Sequence, residues 1–237
     1  MSGKKYAIAA QMLDRQQYYA LTEAIKLVKQ MTDNEKSKRK FDETVELHFR
    51  LGIDPRHSDQ QVRSTVLLPA GLGKKVRILV FAEGEDARAA EAAGADIVAD
   101  DQIVNKIANE GWTDFDAALA TPSMMKKLGR IARILGPRGL MPNPKAGTVV
   151  EAGDIQRAVD ELKAGRVEFR NDKSGNLHIP IGKASFTAEQ LEQNATAVLN
   201  AVIAQRPSAV KGIYVKRAVV CSTMSPGVRV DLAGAGK

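Results

Sequence analysis

Two strand patterns occupy different stretches of this 237-residue chain and do not mix. In the flanks, apolar and polar residues alternate. TVELHFRL (44–51) sets Val45, Leu47, Phe49 and Leu51 against Glu46, His48 and Arg50. NLHIPIGK (176–183), VEFR (167–170) and VRVDL (228–232) follow the same rule. Successive strand side chains point to opposite faces, so this pattern predicts antiparallel strands with one wet face. In the middle, RILVFA (77–82), DIVA (96–99) and DAALAT (116–121) are short continuous apolar runs. They are separated by helical stretches at 85–94, 102–111 and 123–136. Strands buried on both faces and alternating with helices predict a small parallel sheet.

The economical architecture is an α/β chain of two domains. A split α+β domain with an antiparallel sheet, residues 1–70 plus 155–237, is interrupted by a parallel α/β insert, residues 71–154. The crossings, LLPAGLGKK (67–75) and PNPKAGTVVEAGD (142–154), are rich in Gly and Pro, and two crossings suit a hinge. Three helices are legible in the flanks. ALTEAIKLVKQM (20–31) has an apolar stripe, and DIQRAVDELKAG (154–165) stops at a glycine. TAEQLEQNATAVLNAVIAQ (187–205) opens with a Thr187-x-x-Gln190 capping box.

Charge divides unevenly. The chain carries 35 Lys and Arg against 28 Asp and Glu. Residues 71–150 hold 11 bases and 10 acids, which leaves 24 and 18 elsewhere, a net of +6. A polyanion partner would therefore meet the split domain. Only 5% of residues are aromatic, which disfavours stacking of single-stranded bases and favours folded RNA read through phosphates and 2′-hydroxyls. Polar turns at 38–41, 54–63, 170–175 and 222–227 supply the groups for such contacts.

Enzyme chemistry finds little support. The turn after RILVFA reads EGEDA, whose three carboxylates repel phosphate where a nucleotide fold would bind it. No GxxxxGK[ST] motif occurs, and no Ser sits in a G-x-S-x-G setting. His48, His57 and His178 lack metal-ligand spacing. The single cysteine, Cys221, lies beside Val219 and Val220 and reads as a buried structural thiol. No signal peptide and no run of 18 apolar residues is found, so no membrane segment is expected. In GPRGLMPNPK (136–145), Gly136 reads as the residue ending a helix and Pro137 as its stop. Pro142 and Pro144 are expected to hold the chain extended toward the split domain.

LGRIARILGPRGLMPNPKAGTV (128–149), KFDETVELHFRLGIDPRHSDQQVR (40–63), EFRNDKSG (168–175) and IGKASF (181–186) resemble the bacterial ribosomal protein L-one family, of the mobile side stalk of the large subunit. The resemblance spans nearly the whole chain. It implies a split RNA-binding domain and a Rossmann-like insert without a nucleotide, no cofactor and no enzymatic activity. The partners implied are large-subunit rRNA, exit-site tRNA, the protein's own operon mRNA as target of repression, and other ribosomal components. The location implied is the cytoplasm, on the ribosome, and the free protein is expected to be a monomer. The RNA contacts implied are Lys40, Phe41 and Thr44; Arg56, Ser58 and Arg63; Lys173, Ser174 and His178; and Thr223, Met224 and Ser225. Arg138 and Lys145 flank the proline-rich corner as an interdomain or secondary RNA contact. The family reads Thr-Met-Gly where this chain reads Thr223-Met224-Ser225, so the expected close backbone approach at that turn is in question.

Overall fold

The computed structural model describes residues 3–232; the side chains of Lys145 and Ala152 lie outside that description. The chain divides into two compact units, residues 1–73 with 165–237, and residues 74–164. In chain order, the first unit begins with α1 (Lys4–Gln11), α2 (Leu21–Asp33), β1 (Thr44–Leu51) and β2 (Arg63–Leu67). The second unit holds β3 (Ile78–Phe81), α3 (Glu85–Ala92), β4 (Ile97–Ala99), α4 (Asp101–Glu110) and β5 (Ala117–Ala120). It continues through α5 (Pro122–Leu128), α6 (Ala132–Leu135) and α7 (Ile155–Ala164). The chain then returns to the first unit as β6 (Arg166–Arg170), β7 (Asn176–Lys183), α8 (Ala188–Ala204), β8 (Val215–Ser222) and β9 (Val228–Val230).

The first unit is built on a four-stranded antiparallel sheet in the order β7-β1-β8-β9, beside a two-stranded pair β2-β6. The alternation in TVELHFRL places Val45, Leu47, Phe49 and Leu51 in the core, each at 2% exposure or less. They meet Ile25 and Val28 of α2 and Leu191, Val198 and Val202 of α8. Full burial of each such side chain contributes about 1.5–3 kcal/mol. The expected capping box is present: Thr187 Oγ1 accepts from Gln190 N–H, and Gln190 Oε1 accepts from Thr187 N–H. Tyr214 is buried in this core at 1% exposure, and its hydroxyl has no hydrogen-bond partner among the described residues. Burial pushes this phenol up to about 12. Tyr214→Phe removes an unpaired polar atom, so urea unfolding should show unchanged stability or a gain of up to about 1 kcal/mol.

The second unit carries a parallel sheet in the order β4-β3-β5. Ile78, Leu79, Val80 and Phe81 are all fully buried, as a continuous apolar run requires when both faces are covered. Four sequence expectations change here. The helix at 155–164 belongs to this unit, not to the split one. Its Ile155, Ala158, Val159 and Leu162 pack with Ile78, Val80 and Leu119, so the return crossing comes after the helix, near Gly165. The stretch 123–136 is not one helix. Hydrogen bonds tighten to i,i+3 spacing at Ile131 N–H to Leu128 O (3.0 Å), which separates α5 from α6. The glycine of positive φ after α6 is Gly139 (71°), while Gly136 keeps a right-handed helical backbone (φ −59°). Pro144 opens a 3-10 turn over Pro144–Ala146 instead of an extended run. The chain then runs parallel to β5, with Ala120 and Val149 bridged. The proline-rich corner is thus internal to the inserted unit.

Candidate nucleic-acid interface

In the first unit, α2 and α8 cover one face of the four-stranded sheet. The other face carries Glu46, His48 and Arg50 of β1, Asn176, His178 and Pro180 of β7, and Arg217, Val219 and Cys221 of β8, none of them fully buried. At one end of this face the segment before β1 meets the turn after β8. The pin between them is Glu43, a carboxylate only 4% exposed. Its Oε2 accepts from the Ser222 hydroxyl (2.7 Å) and from the Met224 backbone N–H (2.9 Å). Thr44 N–H donates to Thr223 Oγ1 (3.0 Å), Thr223 N–H donates to Thr44 O (3.0 Å), and Lys183 Nζ donates to Thr44 Oγ1 (2.8 Å).

This lattice leaves two apolar side chains in solvent, Phe41 at 54% and Met224 at 45% exposure. Beside Phe41 lies an open hollow of about 330 Å³ lined by Lys38, Arg39 and Lys40 together with the carboxylates of Asp33, Asp42 and Glu43. Cations around an apolar tip are what a folded RNA backbone can use: phosphate outside, a sugar or base face within. At Ser225 the turn forms without the conformation reserved for glycine. Ser225 has no positive φ, and its Oγ accepts from Ser222 N–H (2.8 Å) and donates to Pro226 O (3.1 Å). The side chain closes the turn that glycine would otherwise close through backbone freedom.

The other residues implied by the resemblance are spread more widely. Lys173 and Ser174 are exposed in the turn before β7. Asp172 shapes that turn by accepting from Ser174 N–H and Asn176 N–H, both at 2.8 Å. Partial burial raises the Asp172 carboxyl, but hydrogen bonds from Asn176 and Ser174 outweigh it and hold the group below the usual range. The Arg50 guanidinium donates to Ser174 O and to Asn176 Oδ1, tying the turn to β1. His178 lies midway along the open face, opposite His48. Arg56 and Ser58 are exposed in the loop after β1, where Asp54 Oδ1 accepts from Arg56 N–H (3.1 Å). Arg63 sits on the separate β2-β6 pair, ion-paired to Glu168 (2.5 Å), so part of its charge is already neutralised. In the second unit, the Arg138 guanidinium donates to Gly111 O and Thr113 Oγ1, which fastens the proline-rich corner to the loop after α4. The Lys145 side chain lies outside the described residues.

Sequence reasoning missed Glu43 and Ser222. A lone Glu inside KFDET reads as a solvated charge, and no spacing rule marks it. The His48–His178 pairing was also missed, because it depends on strand register. Their Nδ1 atoms are 2.7 Å apart, and His48 Nε2 is 3.1 Å from Cys221 Sγ. Cys221 is half-buried on the open face, not a core thiol; burial, then the nearby Glu46 carboxylate, push it up to about 11. Among the described residues no cluster of three or more His, Cys, Asp or Glu could hold a metal ion, and no helix is long and apolar enough to cross a membrane.

The first unit of this interrupted α/β chain thus gathers hydroxyls, cations and exposed apolar tips at one end of its open sheet face. Comparison with known proteins fixes the group. The model of the ribosomal protein L1p/L10e family matches residues 33–226. The large ribosomal subunit protein uL1 of Chloroflexus aggregans is 56% identical over 230 residues, 97% of this chain and 95% of the relative. The protein of the same name from Persephonella marina is 52% identical over 230 residues (97% and 93%), and that from Solibacter usitatus 52% over 231 (98% and 94%). The chain belongs to the ribosomal protein L1 family, whose members are structural and not enzymes.

Proposed function

We propose that this chain is a structural constituent of the large ribosomal subunit, bound to folded rRNA at the mobile side stalk through its split unit. The observation that carries the reading is the Glu43-pinned end of the open sheet face. There Lys40, Phe41, Thr44, Thr223 and Met224 converge from segments about 180 residues apart in the chain. The net charge of +6 outside residues 71–150 supports it, as do relatives named as large-subunit proteins. Phosphates position such a protein, and exposed hydroxyls such as that of Thr223 suit the 2′-OH groups that distinguish RNA from DNA. By the family resemblance we extend the proposal to assistance in releasing deacylated tRNA from the exit site and to repression of the chain's own operon mRNA. Both occur on the ribosome or in the surrounding cytoplasm, and the rRNA site and its mimic on the operon mRNA are read by the same surface.

The test is a gel-shift competition with the full chain, using side-stalk rRNA, the operon leader mRNA and an unrelated duplex. Stalk and leader RNAs should displace one another and the duplex should not. Equal competition by the duplex at moderate salt would sink the reading. Met224→Asp should cost at least about 2 kcal/mol, some 30-fold in affinity for stalk RNA, by setting a charge against phosphate and removing an apolar contact. Wild-type affinity would take the turn out of the interface.

A further inference from the structure

Midway along the open sheet face, away from the Glu43 pin, is a second hollow of about 470 Å³ lined by His48, Arg50, Asn176, His178, Lys216 and Arg217. Its charge has a local cause. The β1-β8 register shifts between Arg50 and Leu51: Arg50 pairs with Arg217 and Leu51 with Val215. Lys216 is the extra residue of this bulge. Bulges re-aim side chains, and here Lys216 and Arg217 are both exposed while Val215 and Ala218 on either side are buried. Neither Lys216 nor Arg217 has an acidic partner among the described residues, whereas Arg50 is occupied with Ser174 O and Asn176 Oδ1. Like charges brought together without counter-charge destabilise a fold unless an anion joins them.

The histidine pair at the edge of this hollow is arranged for a single proton. The facing Nδ1 atoms, 2.7 Å apart, form a hydrogen bond only if one is protonated and the other bare. Neighbours select the tautomers. Each Nε2 faces a carboxylate, His178 toward Asp172 Oδ2 at 3.8 Å and His48 toward Glu46 Oε2 at 3.5 Å, which favours hydrogen on both Nε2 atoms and leaves the facing Nδ1 atoms bare. His48 Nε2 is also 3.1 Å from Cys221 Sγ. One added proton is then shared between the two Nδ1 atoms and makes their contact a hydrogen bond. A second proton would put hydrogen on both Nδ1 atoms and break it. The charged groups facing the pair are Glu46 and Arg50 from β1, Asp172 from the turn before β7, and Arg217 and Lys216 from β8. In the free protein, burial lowers the His48 value most, Glu46 opposes that, and His178 adds to the lowering.

We infer that this hollow takes a backbone phosphate of the bound RNA, and that the His48–His178 pair sets the strength of that contact by taking up one proton. The inference rests on the RNA-binding reading above and adds to it a contact point and a pH dependence. The sign follows from linkage. A phosphate in the hollow favours the cationic pair, so the complex holds more protons than the free protein and affinity rises as pH falls.

The experiment measures affinity of the full chain for side-stalk rRNA at pH 8, 7 and 6 at constant ionic strength. Wild type should bind about fivefold tighter at pH 6 than at pH 8. Its slope of log affinity against log salt should steepen by roughly one unit over the same range. His48→Gln and His178→Gln should each flatten this response, with folding checked by circular dichroism. Arg217→Ala should weaken binding about fivefold at each pH and reduce the salt slope by about one unit. A pH-independent wild type, an unchanged response in both histidine variants, or wild-type binding by Arg217→Ala would each overturn the inference while leaving the RNA reading in place. Absence of any specific stalk binding would instead remove the RNA reading, and this inference with it.

Discussion

Glu43→Ala should lose about 3 kcal/mol of stability, because a buried hydroxyl and a part-buried backbone N–H lose a charged acceptor at once. The Ser222 hydroxyl is 2% exposed and cannot turn to water, and the Met224 N–H faces the same oxygen. The functional loss should exceed the stability loss in consequence. With the pin gone, the turn carrying Thr223 and Met224 keeps its bonds to the Thr44 backbone and its own closure by Ser225, but it loses its tie to the buried carboxylate, and the arrangement of exposed tips is less firmly preformed. Binding would have to supply that ordering, so affinity for stalk RNA should fall by roughly 30-fold or more. Glu43→Gln keeps one acceptor oxygen of the same reach and should lose only about 1 kcal/mol. Urea unfolding of both variants, with RNA titration under conditions where both are folded, separates the effects. Full RNA affinity in a folded Glu43→Ala protein would show that the turn orders itself without the carboxylate.

That carboxylate illustrates where reading the sequence stops. The strands of the open sheet announce themselves by alternation, and those of the parallel sheet by unbroken apolar runs, because burial on one face or two is a local pattern. β8 was not legible. Its VKRAVVCS carries the Lys216–Arg217 bulge, which sets two consecutive polar residues outward and breaks the period of two. β2 has only Val66 fully buried, too little for a pattern. The helix at 155–164 was legible as a helix but was assigned to the wrong unit, since periodicity reports an apolar face and not the surface it meets. The same limit applies to the site. Lys40, Phe41, Thr223 and Met224 stand in motifs that resemblance marks. The Glu43–Ser222 bond and the His48–His178 contact join residues 179 and 130 positions apart, and only strand register brings them together.

The largest loss of stability is expected at Asn194, the one fully buried side chain of α8 that is polar, at 0% exposure. Its Oδ1 accepts from Ala70 N–H (2.9 Å), and its Nδ2 donates to Gly71 O (2.9 Å) and Ile181 O (2.7 Å). It therefore stitches the helix both to β7 and to the segment that leads into the insert. That segment has no sheet to satisfy it. Leu68 N–H reaches Gly165 O (3.2 Å), and a Cβ on Gly165, at φ +105°, would stand 2.8 Å from Gly71 Cα, so the two crossing segments pack backbone to backbone. Asn194→Leu fills the volume but leaves the part-buried Ala70 N–H and Gly71 carbonyl and the buried Ile181 carbonyl without this partner, and should cost about 4 kcal/mol in urea unfolding. Asn194→Asp separates the electrostatic part. Its carboxylate would keep the bond from Ala70 N–H but face the Gly71 and Ile181 carbonyls, which raises its folded-state value above that of the unfolded chain. Protonation then favours the fold, so this variant should gain stability as pH falls from 7 toward 5, while Asn194→Leu should share the pH profile of the wild type. Parallel profiles for all three proteins would mean that the carbonyls turn away from residue 194, and that the crossing is held by the Gly71–Gly165 contact instead.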